Sequence, residues 1–155
     1  MASNNDYAQT HALATQLRSE LERLPYRSRP LFMMHFPHGA ASESSLLLGA
    51  LLLDHGLEGF DYVAGERGAY AQHDWSSHAW LTRGDLVVDI TADQFDDAPA
   101  AVIVSPRSSW HDQFILTSRE RADFRLLPGC ATLQPIYDQI LAAIPTQAGE
   151  RRAAG

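Results

Sequence analysis

Residues 76–91 read SSHAWLTRGDLVVDIT, two short apolar and β-branched segments on either side of a charged, glycine-containing break. Side chains alternating along each arm suit a half-buried strand, and Arg83-Gly84 supplies two central turn residues, so the stretch predicts a β-hairpin. A turn placed there sets Trp80 opposite Val87 and His78 opposite Asp89. Directly opposed side chains share a face of the ribbon with Cβ atoms about 5 Å apart. An imidazole and a carboxylate held that way form the orienting half of a catalytic triad, in which the acid fixes the imidazole tautomer and stabilises the imidazolium. A slip of one residue would oppose His78 to Val88 or Ile90 and undo the pairing. The plain alternative is a polar pair on a solvated strand face. Trp80 and Val87 on the same side argue against it, because a buried ion pair is costly and marks functional sites more often than inert ones.

Working outward, strands are expected at Phe60–Ala64, Ser77–Thr82, Asp85–Thr91 and Ala101–Val104, with Phe124–Leu127 as a further one. Upstream, Ser44–His55 carries six leucines with Gly49 and Ala50 and almost no polar face. A helix apolar all round must be wrapped by other elements, which places this one at the centre, with Gly56 as its C-cap. A first helix is capped by Asn4, Asn5 and Asp6, carries Leu13, Leu17, Leu21 and Leu24 on one stripe, and ends at Pro25. Leu31–Phe36 reads as a buried extended segment, broken by Pro37 and Gly39. A last helix spans Thr132–Ile144 and stops at Pro145. One domain over residues 1–145 is expected, with a disordered tail from Thr146 to Gly155. Consecutive strands with short connections cannot be parallel crossovers, so the class is α+β: a buried central helix packed against a small antiparallel sheet.

Composition narrows the partners. The 155-residue chain is 45% hydrophobic with a formal net charge of -7, which suits a globular domain and disfavours nucleic acid; its one basic pair is Arg151-Arg152. The apolar run Leu46–Leu53 is far short of the roughly 20 residues a membrane helix needs, and the polar N-terminus lacks a signal-peptide pattern. Neither membrane insertion nor a signal peptide is expected. The single cysteine, Cys130, excludes an internal disulfide and weakly favours the cytosol.

The order of helix, apolar helix and His-then-Asp hairpin resembles the papain-like and transglutaminase-like cysteine enzymes, on the stretches FPHGAASESSLLLGALL, SHAWL and VVDITADQF between Phe36 and Phe95. The resemblance implies a papain-like core and a Cys-His-Asp triad. His78 matches its general base and Asp89 the orienting acid, while the nucleophile's position falls on Ala41. A cysteine there would gain from the partial positive charge and free N–H groups of a helix start, which depress a thiol pKa and hold an oxyanion. Alanine is the smallest residue that keeps the helix start and deletes the sulfur, which favours an engineered Cys→Ala over a natural pseudoenzyme. The implied activity is thiol-dependent hydrolysis or acyl transfer on a peptide or side-chain amide, as a peptidase, amidase or deamidase, with no cofactor. Its partner is a peptide or protein substrate, and the protein is cytoplasmic or delivered to another cell as an effector or toxin.

Other chemistries are open. Ser42, Ser44 and Ser45 offer a hydroxyl at the same helix start, where a serine also serves as an N-cap, and no Gly-x-Ser-x-Gly elbow is present. His35 with His38, or His73 and His78 with Asp74 and Asp89, could be assembled into a metal site, although neither spacing is a signature and no metal is expected. Trp80 is a candidate wall of the substrate site, and Gln94 a candidate oxyanion donor or loop anchor. Asp93 is a second candidate orienter for His78, and Trp75 and Trp110 read as packing residues. Loops Glu66–Asp74 and Phe95–Pro99 are candidate specificity elements. A fold that kept its cleft and lost its chemistry would be a peptide- or protein-binding module.

Overall fold

A computed structural model describes residues 3–146. Three helices, α1 (Asn4–Arg23), α2 (Ala41–Asp54) and α3 (Gln134–Ala143), accompany five strands, β1 (Asp61–Arg67), β2 (Ser76–Arg83), β3 (Leu86–Asp89), β4 (Ile103–Pro106) and β5 (Ile115–Arg121). The strands form one sheet in the order β4-β3-β2-β1-β5, antiparallel throughout. This is the mixed α+β architecture the sequence predicts.

Helix α1 forms because leucines recur on one stripe, and Leu13, Leu17 and Leu21 are buried. Its cap is Ser3, whose hydroxyl accepts the Asp6 N–H, so the expected caps Asn4, Asn5 and Asp6 lie in the first turn instead. Helix α2 is the buried centre: nine of its 14 residues are buried, and it packs on β1, β2 and α1. Leu53 is the exposed one of its six leucines, at 40%. Gly49 is required there, because a Cβ would sit 1.9 Å from the Ala122 carbonyl oxygen.

The sheet separates two cores. On the face toward α1 and α2, Leu81, Leu86, Val88 and Val104 meet the helix leucines. On the other, Val63, Trp80, Val87 and Ile103 pack with Ala92, Trp110 and Phe114. Alternation along each strand produces this division.

Several boundaries differ from expectation. Leu31–Phe36 is not a buried strand: Leu31–Met33 is one 3-10 turn, Leu31 is 90% exposed, and only Met33 is buried. After Pro30 the backbone closes on itself, the Met33 and Met34 N–H groups donating to the Pro30 and Leu31 carbonyls, so they are not available to a sheet. Phe124–Leu126 is likewise a 3-10 turn rather than a strand, closed by the Asp123 carboxylate accepting the Arg125 N–H. The last strand is β5, whose seven residues are all exposed at the sheet edge, so no alternating pattern announces it. Helix α3 begins at Gln134 after a 3-10 turn at Cys130–Leu133. The expected tail lies outside the described residues beyond Thr146.

Candidate active site

Strands β2 and β3 pair Leu81 with Val88, Thr82 with Val87 and Arg83 with Leu86. The central turn residues are therefore Gly84 and Asp85, one position later than Arg83-Gly84. Gly84 has φ of 58°, and a glycine at positive φ in the first central position is the II′ hairpin turn. Moving the turn by one residue changes the register by two, so every side chain keeps its expected face. Val87 thus faces Thr82 rather than Trp80, and His78 lies diagonal to Asp89 instead of opposite it. Diagonal neighbours remain within reach of a long side chain. The His78 Nε2 donates to Asp89 Oδ2 at 2.6 Å, with both side chains fully buried.

Asp89 ends β3, and the next turn completes its shell: the Thr91 N–H donates to Oδ1 at 2.9 Å. A third donor comes from farther along the chain. His111, in the turn after β4, donates from Nε2 to the same Oδ2 at 2.7 Å, and its Nδ1 lies 2.6 Å from the Ser108 hydroxyl. Burial pushes the Asp89 carboxyl up, but the hydrogen bonds and attraction of His111 and His78 outweigh it and hold the group at about 2. Asp89 is thus ionised near neutral pH.

Ala41 is the first residue of α2, which starts three positions earlier than the expected Ser44. Gly39, at φ of 73°, turns the chain into the helix, and Ala40 is an N-cap with no side-chain bond. The serines are therefore inside the helix rather than capping it. Ser42 Oγ is 2.9 Å from the Tyr62 hydroxyl, Ser45 donates to the Ala79 carbonyl, and Ser44 is buried. Among the described residues, no serine of this run is hydrogen-bonded to His78.

Ala41, Ser42, Gly39, Gly65, His78 and Gln94 help to line one cavity of about 250 Å³. The first intrahelical bond of α2 runs from the Ser44 N–H to the Ala40 carbonyl, so the N–H groups of residues 41–43 have no partner within the helix. The Gln94 amide nitrogen lies 3.3 Å from His78 Nδ1 and donates to the Thr91 carbonyl at 3.2 Å.

The other candidates fall elsewhere. Asp93 does not orient His78; it forms a bidentate pair with Arg18 at 2.7 and 2.8 Å. Arg18 also donates to the Ile90 carbonyl at 2.7 Å, pinning the turn after β3 to α1. Trp80 does not wall the cavity. It is buried behind the imidazoles, its ring 5.7 Å from His78 and 4.8 Å from His111. Trp110 packs in the same cluster, while Trp75 stacks on Tyr70. Arg67, expected in a specificity loop, ends β1 and lies over Phe95, Trp110 and Phe114.

Neither expected metal grouping assembles: the Asp74 carboxylate accepts the Ala69 N–H, and His73 is exposed. His78, Asp89 and His111 do converge, their ligand atoms all within 4.8 Å of one another. Their 2.6 and 2.7 Å contacts are direct N–H···O bonds. A tetrahedral zinc, with bonds of about 2 Å, would need both nitrogens deprotonated and its ligands about 3.3 Å apart. The observed geometry fits proton sharing rather than an ion. Sequence reasoning missed His111, whose only local signal is the Ser108-x-x-His111 spacing within a turn. No family model, curated protein or solved structure matches this chain.

Proposed function

We propose that this domain is a papain-like or transglutaminase-like thiol hydrolase or acyl transferase, silenced at position 41. The observation that carries the reading is the placement of His78. One ring nitrogen is bonded to a buried carboxylate, and the residue shares a cavity with the first residue of a buried helix. With cysteine at position 41, His78 Nδ1 takes the thiol proton and the thiolate attacks the carbonyl carbon of a peptide or side-chain amide. Free N–H groups at the start of α2 hold the oxyanion. His78 then returns the proton to the leaving amine or ammonia, and an acyl-thioester remains. Water completes hydrolysis or deamidation; an amine completes transamidation. Asp89 orients His78 throughout and stabilises its imidazolium.

Alanine at position 41 favours a second reading for the chain as it stands, a module that binds a peptide or protein without turnover. Both are tested by offering a panel of glutamine-containing peptides to the Ala41→Cys protein and following ammonia release, new termini and amine incorporation. The enzyme reading expects one of these above the parent chain. Peptide binding with none of them would support the binding module.

A further inference from the structure

We propose that His111, backed by Ser108, is a second positioning residue of this site: it shares Asp89 Oδ2 with His78 and so fixes the carboxylate that orients the His78 ring. The inference rests on the reading of His78 as general base.

The hydrogen-bond pattern fixes most proton positions. Asp89 Oδ2 is an acceptor, so both Nε2 atoms that touch it carry hydrogen. The Thr91 carbonyl can only accept, so Gln94 must turn its amide nitrogen inward, and that nitrogen can only donate to His78 Nδ1. His78 is therefore held as the Nε2–H tautomer with its lone pair at Nδ1, the form a general base requires. His111 is not constrained this way. The Ser108 hydroxyl either donates to its Nδ1 or accepts from it, so His111 keeps all its bonds whether neutral or protonated.

That asymmetry assigns the two rings different tasks. A carboxylate that is 1% exposed among aromatic rings is costly without a compensating proton nearby. Beyond His111 lies a hydroxyl that can donate or accept, whereas beyond His78 lies the Gln94 N–H, which can only donate. Geometry also argues for clamping. Asp89 receives donors from β2, from its own following turn and from the turn after β4, which fixes the carboxylate plane from three directions. The His111 ring is held in turn, with the Trp80 and Trp110 centroids each 4.8 Å away.

A ring that merely fills space would be replaceable by phenylalanine, so two substitutions separate the roles. His111→Phe keeps a ring and removes the donor; His111→Gln keeps a donor near the Nε2 position and removes the titrating ring. In the full chain as it stands, nitrogen NMR of the imidazoles should show His78 as the Nε2–H tautomer. The tautomer should stay the same in both variants, while the His78 Nε2 signal should shift in His111→Phe, where the carboxylate loses one of its donors, and return most of the way in His111→Gln. In the Ala41→Cys background, His111→Phe should slow alkylation of the installed thiol by about tenfold, the value of one charge-assisted hydrogen bond, with His111→Gln restoring most of the rate. Should His111→Phe fail to fold, Ser108→Ala leaves the ring in place; it should shift the His111 nitrogen signals and slow alkylation less. Unchanged His78 signals and thiol rates in His111→Phe, or unchanged His111 signals in Ser108→Ala, would overturn the proposal. A thiol inert even with both histidines intact would instead remove the thiol chemistry, and the response of the His78 nitrogen signals to His111→Phe would still decide the part His111 plays.

Discussion

On the face of the sheet covered by α1 and α2, Leu81, Leu86, Val88 and Val104 meet the helix leucines; on the other, His78, Asp89 and His111 are buried among Trp80, Trp110 and Phe114. The first face gains stability from every apolar group removed from water. The second spends part of that gain on desolvating a carboxylate and two imidazoles, which an all-apolar packing would avoid. A domain this small can hold such a cluster because the first face supplies the stability. The difference separates what folds the chain from what the chain is folded to present.

Substitutions should respect that division. Asp89→Ala strands two buried imidazoles and should cost about 3–5 kcal/mol in chemical denaturation, while also abolishing any enhanced reactivity of a thiol at position 41. Leu51→Ala, at a fully buried α2 position, should cost a comparable 2–5 kcal/mol, roughly, yet leave that reactivity unchanged in the folded fraction. If both substitutions silenced the thiol equally, the two faces would not be separable.

The polar face should also set the acid limit of the fold. The folded-state pKa of Asp89 is lowered from 3.8 to about 2, so the unfolded state binds more protons between those values and stability rises with pH across that window. Its contribution of about 2 kcal/mol is fully present above pH 4 or so and is lost as pH falls toward 2. Denaturation midpoints followed from pH 5 downward should show this slope, and Asp89→Asn should flatten it. A smaller effect is expected where the two regions meet. Arg18→Leu removes the bonds to Asp93 and the Ile90 carbonyl and should cost about 1–3 kcal/mol, with faster amide exchange confined to the turn after β3.

The legible parts were those written in periodicity. Six leucines without a polar face announced α2, and alternation placed His78 and Asp89 on one side of the ribbon even though the turn was misplaced by one residue. Parity survives a two-residue change of register, which is why the pairing held while the exact neighbours did not. Strand β5 carried no such signal, since an edge strand exposed on both faces need not alternate. The start of α2 was hidden because its cap is a backbone turn at Gly39 and Ala40 rather than a serine. His111 reaches Asp89 across 22 residues through a turn whose path only tertiary packing decides.

The most direct test of the central claim is to install Ala41→Cys and follow its alkylation by intact mass across pH, with the parent chain correcting for Cys130 and His78→Ala as control. A thiol that reacts well below the unperturbed value of about 8.5, and loses that advantage without His78, is the predicted result. A thiol that titrates ordinarily and is indifferent to His78 would contradict the account and leave the buried histidines and aspartate as structural groups alone.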